Sequence, residues 1–186
     1  VSDKKTKISY VAEREQLRNI GRHLHDRGWS VGTSSNYSTV VAREPLFLLI
    51  TASGKDKGNL GKRDFAVLNG EGQPTDEKQP RSSAESQLHV TLARSRGAGA
   101  VLHTHSVWGT LLSDLCFDAG QIEISGYEML KGLEGIETHD ATATIKIYDN
   151  TQDIAALAEQ LASDLAADAP GLQHGFLLRG HGLYTW

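Results

Sequence analysis

Residues 101–106 read VLHTHS, an apolar run that ends in two histidines one residue apart. In an extended strand successive side chains point to opposite faces, so His103 and His105 project on one side while Thr104 points away. Two imidazoles then face a common point, and a neutral imidazole is the commonest nitrogen ligand for a metal ion. The stretch reads as a strand with a geometry a metal ion can use, the alternative being a pair of hydrogen-bonded core or edge histidines, and for a metal site the rest of the chain must supply more ligands.

The chain has eight histidines. His23 and His25 form a second HxH, in RHLHDRG, but there the apolar spacing is helical. Residues two apart on a helix diverge by about 200° around the axis, so this pair reads as surface or packing residues. His89 falls inside another predicted helix, placed to buttress the site from behind. Three histidines remain outside helices. His139 in ETHDAT and His174 in LQHGF sit among turn residues and read as exposed loop histidines. His181, in LLRGHGLY, ends an apolar strand between two glycines that allow close approach, which makes it the preferred third ligand. Catalytic zinc takes about three protein ligands and leaves one position open.

Around these residues the pattern alternates between helix and strand. A helix is expected from about Ile8 to DRGW, after a polar, frayed VSDKKTK start, because Val11, Leu17, Ile20 and Leu24 share one face. TVVAR and LFLLIT read as paired strands split by EP, and FAVLN as another. Two polar loops, ASGKDKGNLGKRD and GEGQPTDEKQPRSS, flank FAVLN. Helices are expected over Ala84 to Arg96 and from Val107 to about Cys116, then a strand QIEI, a short helix in YEMLKGLEG and an alternating strand ATATIKIYD. Ile154, Leu157, Leu161 and Leu165 mark a helix running from an Asn-Thr cap to Pro170, and GFLLRG and GLYTW close the chain. Strands and helices mixed through one chain predict an α/β or α+β class.

The 186 residues suit one domain, and a net charge of −4 with dispersed Lys and Arg excludes a strong footprint for nucleic acid or an anionic membrane. One cysteine, Cys116, cannot form an internal disulfide, and neither a signal pattern nor a long apolar span is present. A soluble protein of a reducing compartment, the cytoplasm, is expected.

Together the strand-borne HxH and the late third histidine resemble the class II aldolase and adducin superfamily, over nearly the whole chain. Within it, SGYEMLKGL (125–133), THDATATIKIYDNTQDI (138–154) and RGHGLYTW (179–186) are similar to the methylthioribulose-1-phosphate dehydratases. The resemblance implies a three-layer α/β/α fold with a central, mainly antiparallel sheet flanked by helices, forming a single domain over 1–186. It implies one zinc ion per subunit on His103, His105 and His181, and Glu128 as the catalytic acid/base, work best done by a buried carboxyl. A phosphate site would come from Asn36, Ser53, Gly54, Ser82 and Ser83, since hydroxyls and turn N–H groups can bind an anion without a basic patch. Ser35 departs from the glycine that relatives commonly place before the asparagine.

Glu85 matches the SAE pattern of microbial dehydratases and falls near the catalytic glutamate of related aldolases. A second catalytic role and a structural place in a helix's first turn both remain open for it. The implied reaction is zinc-dependent dehydration of 5-methylthioribulose 1-phosphate to 2,3-diketo-5-methylthiopentyl 1-phosphate in methionine salvage. A homotetramer is implied, with sites near subunit contacts. The chain stops at Trp186 where the family continues, so a further C-terminal helix is expected to be missing. The nearest rivals are aldol cleavage or epimerisation of a sugar phosphate, and a metal-free scaffold module like the adducin head.

Overall fold

The computed structural model describes residues 10–186; the polar start and the expected helix onset at Ile8 lie outside them. Eight strands form one sheet in the order β3-β2-β1-β4-β8-β7-β6-β5. They are β1 (Asn36–Arg43), β2 (Leu46–Thr51), β3 (Phe65–Asn69), β4 (Ala100–Thr104), β5 (Gln121–Ile124), β6 (Ala143–Tyr148), β7 (Phe176–Leu178) and β8 (Gly182–Thr185). Every neighbouring pair is antiparallel except β6 and β7, which are parallel. The exception has a simple cause: helix α4 (Ile154–Ala166) carries the chain back between them, and parallel neighbours need such a crossover.

Helices α1 (Val11–Asp26), α2 (Ser86–Ser95) and α3 (Val107–Leu115) complete the layers. On one face, α2 packs against α4, and Leu88, Leu92, Leu157 and Leu161 bury Val101, Phe176, Leu178 and Tyr184 of the sheet. On the other, Leu17 and Leu24 of α1 pack with Tyr37, Leu49 and Phe65, against which Leu102 lies. Leu102 and Val101 alternate along β4, so α1 and the α2–α4 pair cover opposite faces. The three-layer α/β/α arrangement with a mainly antiparallel sheet is therefore present.

Two close approaches fix the frame. Gly21 lets α1 lie on the carbonyl of Lys57, with which a Cβ would collide. At the helix end Gly28 adopts φ 72°, and Trp29 N–H returns to the Leu24 carbonyl, a Schellman closure. That closure delivers the Trp29 carbonyl to His105 N–H at 2.8 Å, tying the end of the histidine strand to α1.

Several boundaries differ from expectation for local reasons. Strand β1 begins at Asn36, three residues before TVVAR, because Asn36 to Thr39 pair with His103 to Ala100 of β4. Helix α4 is capped by Asp153, whose carboxylate accepts from Ala156 N–H, while Thr151 Oγ1 accepts from Asp153 N–H just outside. The YEMLKGLEG segment forms a 3-10 turn over Glu128–Gly132.

Candidate active site

The histidine strand, the β7–β8 turn, the start of β1 and the start of α2 meet at one end of the central strands of the sheet. His103 lies opposite Asn36 of β1 on one side and Tyr184 of β8 on the other. His181 occupies the turn between β7 and β8, where its N–H donates to the Leu178 carbonyl at 3.1 Å and Gly180 takes φ 59°. Helix α3 pins this turn: Thr110 Oγ1 donates to the His181 carbonyl at 2.9 Å, and Gly180 N–H donates to Ser113 Oγ at 3.0 Å. At Gly182 a Cβ would collide with the Thr104 carbonyl and stand 3.0 Å from both His103 and His105, so only glycine brings His181 up against the HxH strand.

The three imidazoles expected to act together converge. His103 Nε2 stands 2.8 Å from His105 Nε2 and 3.4 Å from His181 Nε2, and one ligand atom from each lies within 4.8 Å of the others. Tetrahedral zinc with bonds of about 2.0–2.1 Å would set such nitrogens roughly 3.3 Å apart, so the donor set fits a single ion. Protonation agrees. His103 Nδ1 lies 3.1 Å from the Leu183 carbonyl; donating to it leaves the Nε2 lone pair facing its neighbours. Burial holds His103 well below the ordinary histidine value, with the charges of His105 and His181 adding to the effect. Burial likewise lowers His105 to about 4, and the His181 and Lys57 charges reinforce it. Imidazole nitrogens gathered at one point can serve as a metal's donor set, and they suit zinc and other late divalent metals.

Glu85 completes the cluster. Its side chain is 19% exposed; Oε1 is 3.4 Å from His181 Nε2 and Oε2 is 3.9 Å from His103 Nε2. Although it sits at the N-terminus of α2, it makes no capping bond to that helix. Asn36 Nδ2 donates to Glu85 Oε2 at 2.6 Å. His89, wholly buried, reaches Asn36 Oδ1 through Nε2 at 2.5 Å and Ser38 Oγ through Nδ1 at 2.8 Å.

Glu128 has different surroundings. Its side chain is 69% exposed and pairs with Lys131 and, at 3.5 Å, with His139 Nδ1. Within one chain the burial expected for an acid/base is absent there. The expected phosphate residues cluster in part: Ser53 N–H donates to the Arg81 carbonyl at 2.9 Å, joining the loop of Ser53 and Gly54 to that of Ser82 and Ser83. Ser83 Oγ accepts from Glu85 N–H at 3.3 Å, and Asn36 is engaged at both ends of its amide. Ser35, in place of the expected glycine, takes φ 70°. His23 and His25 part as expected, one beside Arg27 and the other beside Asp26 and Asp56.

Two residues escaped the sequence reading. The Tyr184 ring stacks on His103 with centroids 4.0 Å apart, and its buried hydroxyl has no hydrogen-bond partner among the described residues. Burial and then the Glu85 charge push its phenol well above the usual tyrosine value. Its place two residues past Gly182 was the available signal. Lys57 is 1% exposed, donates to the Lys55 carbonyl at 2.6 Å and is lowered to about 8 by burial. Nothing in a Lys-rich loop marks which lysine goes inside.

The chain matches the family model for the Class II Aldolase and Adducin N-terminal domain over residues 15–186. It is 43% identical to the methylthioribulose-1-phosphate dehydratase of Sorangium cellulosum (strain So ce56), covering 96% of this chain and 82% of that protein. It is 45% identical to the protein of the same name from Marinobacter nauticus, with 95% and 83% covered. Among solved structures, YgbL of Escherichia coli, a putative aldolase/epimerase/decarboxylase, superimposes with TM-score 0.74 at 23% identity, covering 94% of this chain and 77% of its own. The l-fuculose-1-phosphate aldolase of Thermus thermophilus gives 0.69 at 24% identity, with 92% and 80% covered. At those identities the structures speak for the fold.

Proposed function

This chain belongs to the class II aldolase and adducin family, and from that premise we propose that it is a hydro-lyase that dehydrates 5-methylthioribulose 1-phosphate to 2,3-diketo-5-methylthiopentyl 1-phosphate, a step of methionine salvage. The observation that carries this reading is the meeting of three imidazoles with the Glu85 carboxylate, in a chain whose relatives at 43% and 45% identity bear the dehydratase name.

His103, His105 and His181 hold the metal, for which zinc is the choice that best suits three imidazoles with an open position. When bound, such an ion supplies Lewis-acid polarisation of substrate oxygens. The remaining work falls to the chain itself. Dehydration removes a carbon-bound proton beside the ketone and expels the neighbouring hydroxyl as water. Glu128 is the proposed acid/base for that transfer, on its place in the YEMLKG segment. Glu85 is a second carboxylate, set directly against the histidines, and can hold or pass a proton at Oε1. Ser53, Gly54, Ser82 and Ser83, with the backbone around Asn36, receive the phosphate.

The exposed segment needs cover. Trp108, Leu111, Leu112 and Leu115 recur along α3 and are 75%, 52%, 45% and 79% exposed, while Tyr127 and Met129 flank Glu128 at 67% and 89%. Apolar groups exposed together on one chain are a surface that further copies would bury, and on that ground the homotetramer is the proposed working assembly, which sedimentation measures directly. No helix among the described residues is long and apolar enough to cross a membrane, in keeping with a small-molecule enzyme of the cytoplasm.

The test is incubation of metal-loaded protein with 5-methylthioribulose 1-phosphate, following products by 31P NMR. Appearance of the diketone phosphate with release of water is expected. Shorter carbon fragments would move the protein to the aldolases, and no turnover with any divalent metal would move it to the scaffold modules.

A further inference from the structure

Glu85 and His89 are one helical turn apart on α2 and therefore share a face. Asn36 and Ser38 are two apart on β1 and share a face of the sheet. The two pairs interlock into a buried chain of side chains, Ser38–His89–Asn36–Glu85, that ends 3.4 Å from His181. Helix α2 and strand β1 thus hold one carboxylate between them.

The direction of every bond in this chain is forced. Glu85 Oε2 accepts from Asn36 Nδ2, so the amide NH2 faces the carboxyl group. The amide's carbonyl oxygen therefore faces His89, whose Nε2 must carry the proton. Nδ1 is then an acceptor, and the Ser38 hydroxyl donates to it. A flipped Asn36 would set oxygen against carboxylate oxygen and NH2 against an imidazole N–H, two repulsions in a buried site. Burial keeps His89 neutral, lowering it to about 3, so a single ring proton is available and its position is fixed by the network.

We infer that His89 is a positioning residue: by locking the Asn36 carboxamide it anchors Glu85 through Oε2 and leaves Oε1 aimed at the histidine cluster. The two carboxylate oxygens thereby take different tasks, one held and one free to exchange a proton. The same geometry gives Asn36 a duty toward Glu85, its side chain being occupied at both ends before any phosphate arrives. The inference rests on the dehydratase reading for its kinetic consequence and on the hydrogen bonds alone for its structural one, and the test separates them.

The structural arm is 15N–1H NMR of the histidine side chains in wild-type protein, which needs no turnover. His89 should be the Nε2–H tautomer with a slowly exchanging proton, and Ser38→Ala should loosen it. An Nδ1–H tautomer at His89 overturns the inference whatever the protein catalyses. The kinetic arm compares His89→Leu with His89→Gln, whose amide can still donate to Asn36. With metal content and KM near wild type, kcat should fall about 10- to 100-fold in the leucine variant, the usual cost of losing a partner behind a site, and recover most of that in the glutamine variant. A double-mutant cycle with Glu85→Gln decides the route: once Glu85 is gone, His89→Leu should change kcat less than about twofold, because residues in one network are not additive. Full multiplication of the two losses, or wild-type kcat in His89→Leu, overturns the inference. Should His89→Leu fail to fold, Ser38→Ala carries the same cycle with the same two outcomes.

Discussion

The two carboxylates proposed to share the chemistry sit in opposite worlds. Glu85 is 19% exposed, bonded by Asn36 and backed by His89, on a helix packed against the sheet. Glu128 is 69% exposed on a 3-10 turn, and its partners are Lys131 and His139 of the same surface segment. A group fixed by buried hydrogen bonds carries its surroundings within the chain; one on an exposed turn takes its surroundings from whatever covers it. The histidine corner is thus pre-organised in a single chain, whereas Glu128, on an exposed turn, would gain a buried catalytic setting only from a substrate or a neighbour that covers it.

The largest expected effect lies in the pre-organised corner. His105→Ala should lose metal and turnover together, by more than the roughly 100-fold that even an outlying partner's loss costs. Metal analysis beside a turnover assay measures both, and full metal occupancy in the variant would remove His105 from the donor set. Next come the two carboxylates. Glu85→Gln and Glu128→Gln should each keep the metal and lose about 10²- to 10⁴-fold in kcat, the worth of a positioned acid or base. Near-normal turnover in Glu128→Gln would assign the proton transfer to the buried corner alone; near-normal turnover in Glu85→Gln would make that carboxylate structural.

This contrast also marks what the sequence could reveal. The convergence of His103, His105 and His181 was legible because a strand's period of two and the glycines around His181 are local signals, and Gly182 does permit the contact. The strands LFLLIT, FAVLN and QIEI were legible to the residue for the same reason. The Asn36–Glu85 bond joins residues 49 apart and the Asn36–His89 bond residues 53 apart, so neither has a local signature. Both follow from the antiparallel register that sets Asn36 opposite His103, and that register depends on β1 starting earlier than its apolar residues suggest. The resemblance named Glu128, but nothing in the segment tells what lies above it.

The next effect is on stability, and it falls on the corner alone. His89 has a folded value of about 3 against about 6.5 when unfolded, so above pH 6.5 both states are neutral and nothing is lost. As pH falls below 6.5 the unfolded chain binds a proton that the folded one refuses, and the loss continues until the folded value is reached. At pH 5 this one ring should cost about 2 kcal/mol. His103 and His105 are lowered too and act in the same direction in metal-free protein. Urea unfolding of metal-free protein between pH 7.5 and 5 measures it. His89→Gln should flatten the curve, and an unchanged slope would mean that the ring is protonated in the folded state.

The smallest effect belongs to the exposed segment. Lys131 and Glu128 pair across three residues with side chains 44% and 69% exposed, where solvent screens the charges and ordering two long side chains offsets the attraction. Lys131→Met should therefore change unfolding free energy by under about 0.5 kcal/mol in urea titrations. Asn36→Leu, which strands the buried His89 N–H and the Glu85 carboxylate, should cost about 1–3 kcal/mol in the same titration. If the lysine variant lost as much as the asparagine variant, the turn that carries Glu128 would be locked within its own chain, and Glu128 would need neither substrate nor neighbour to fix its place.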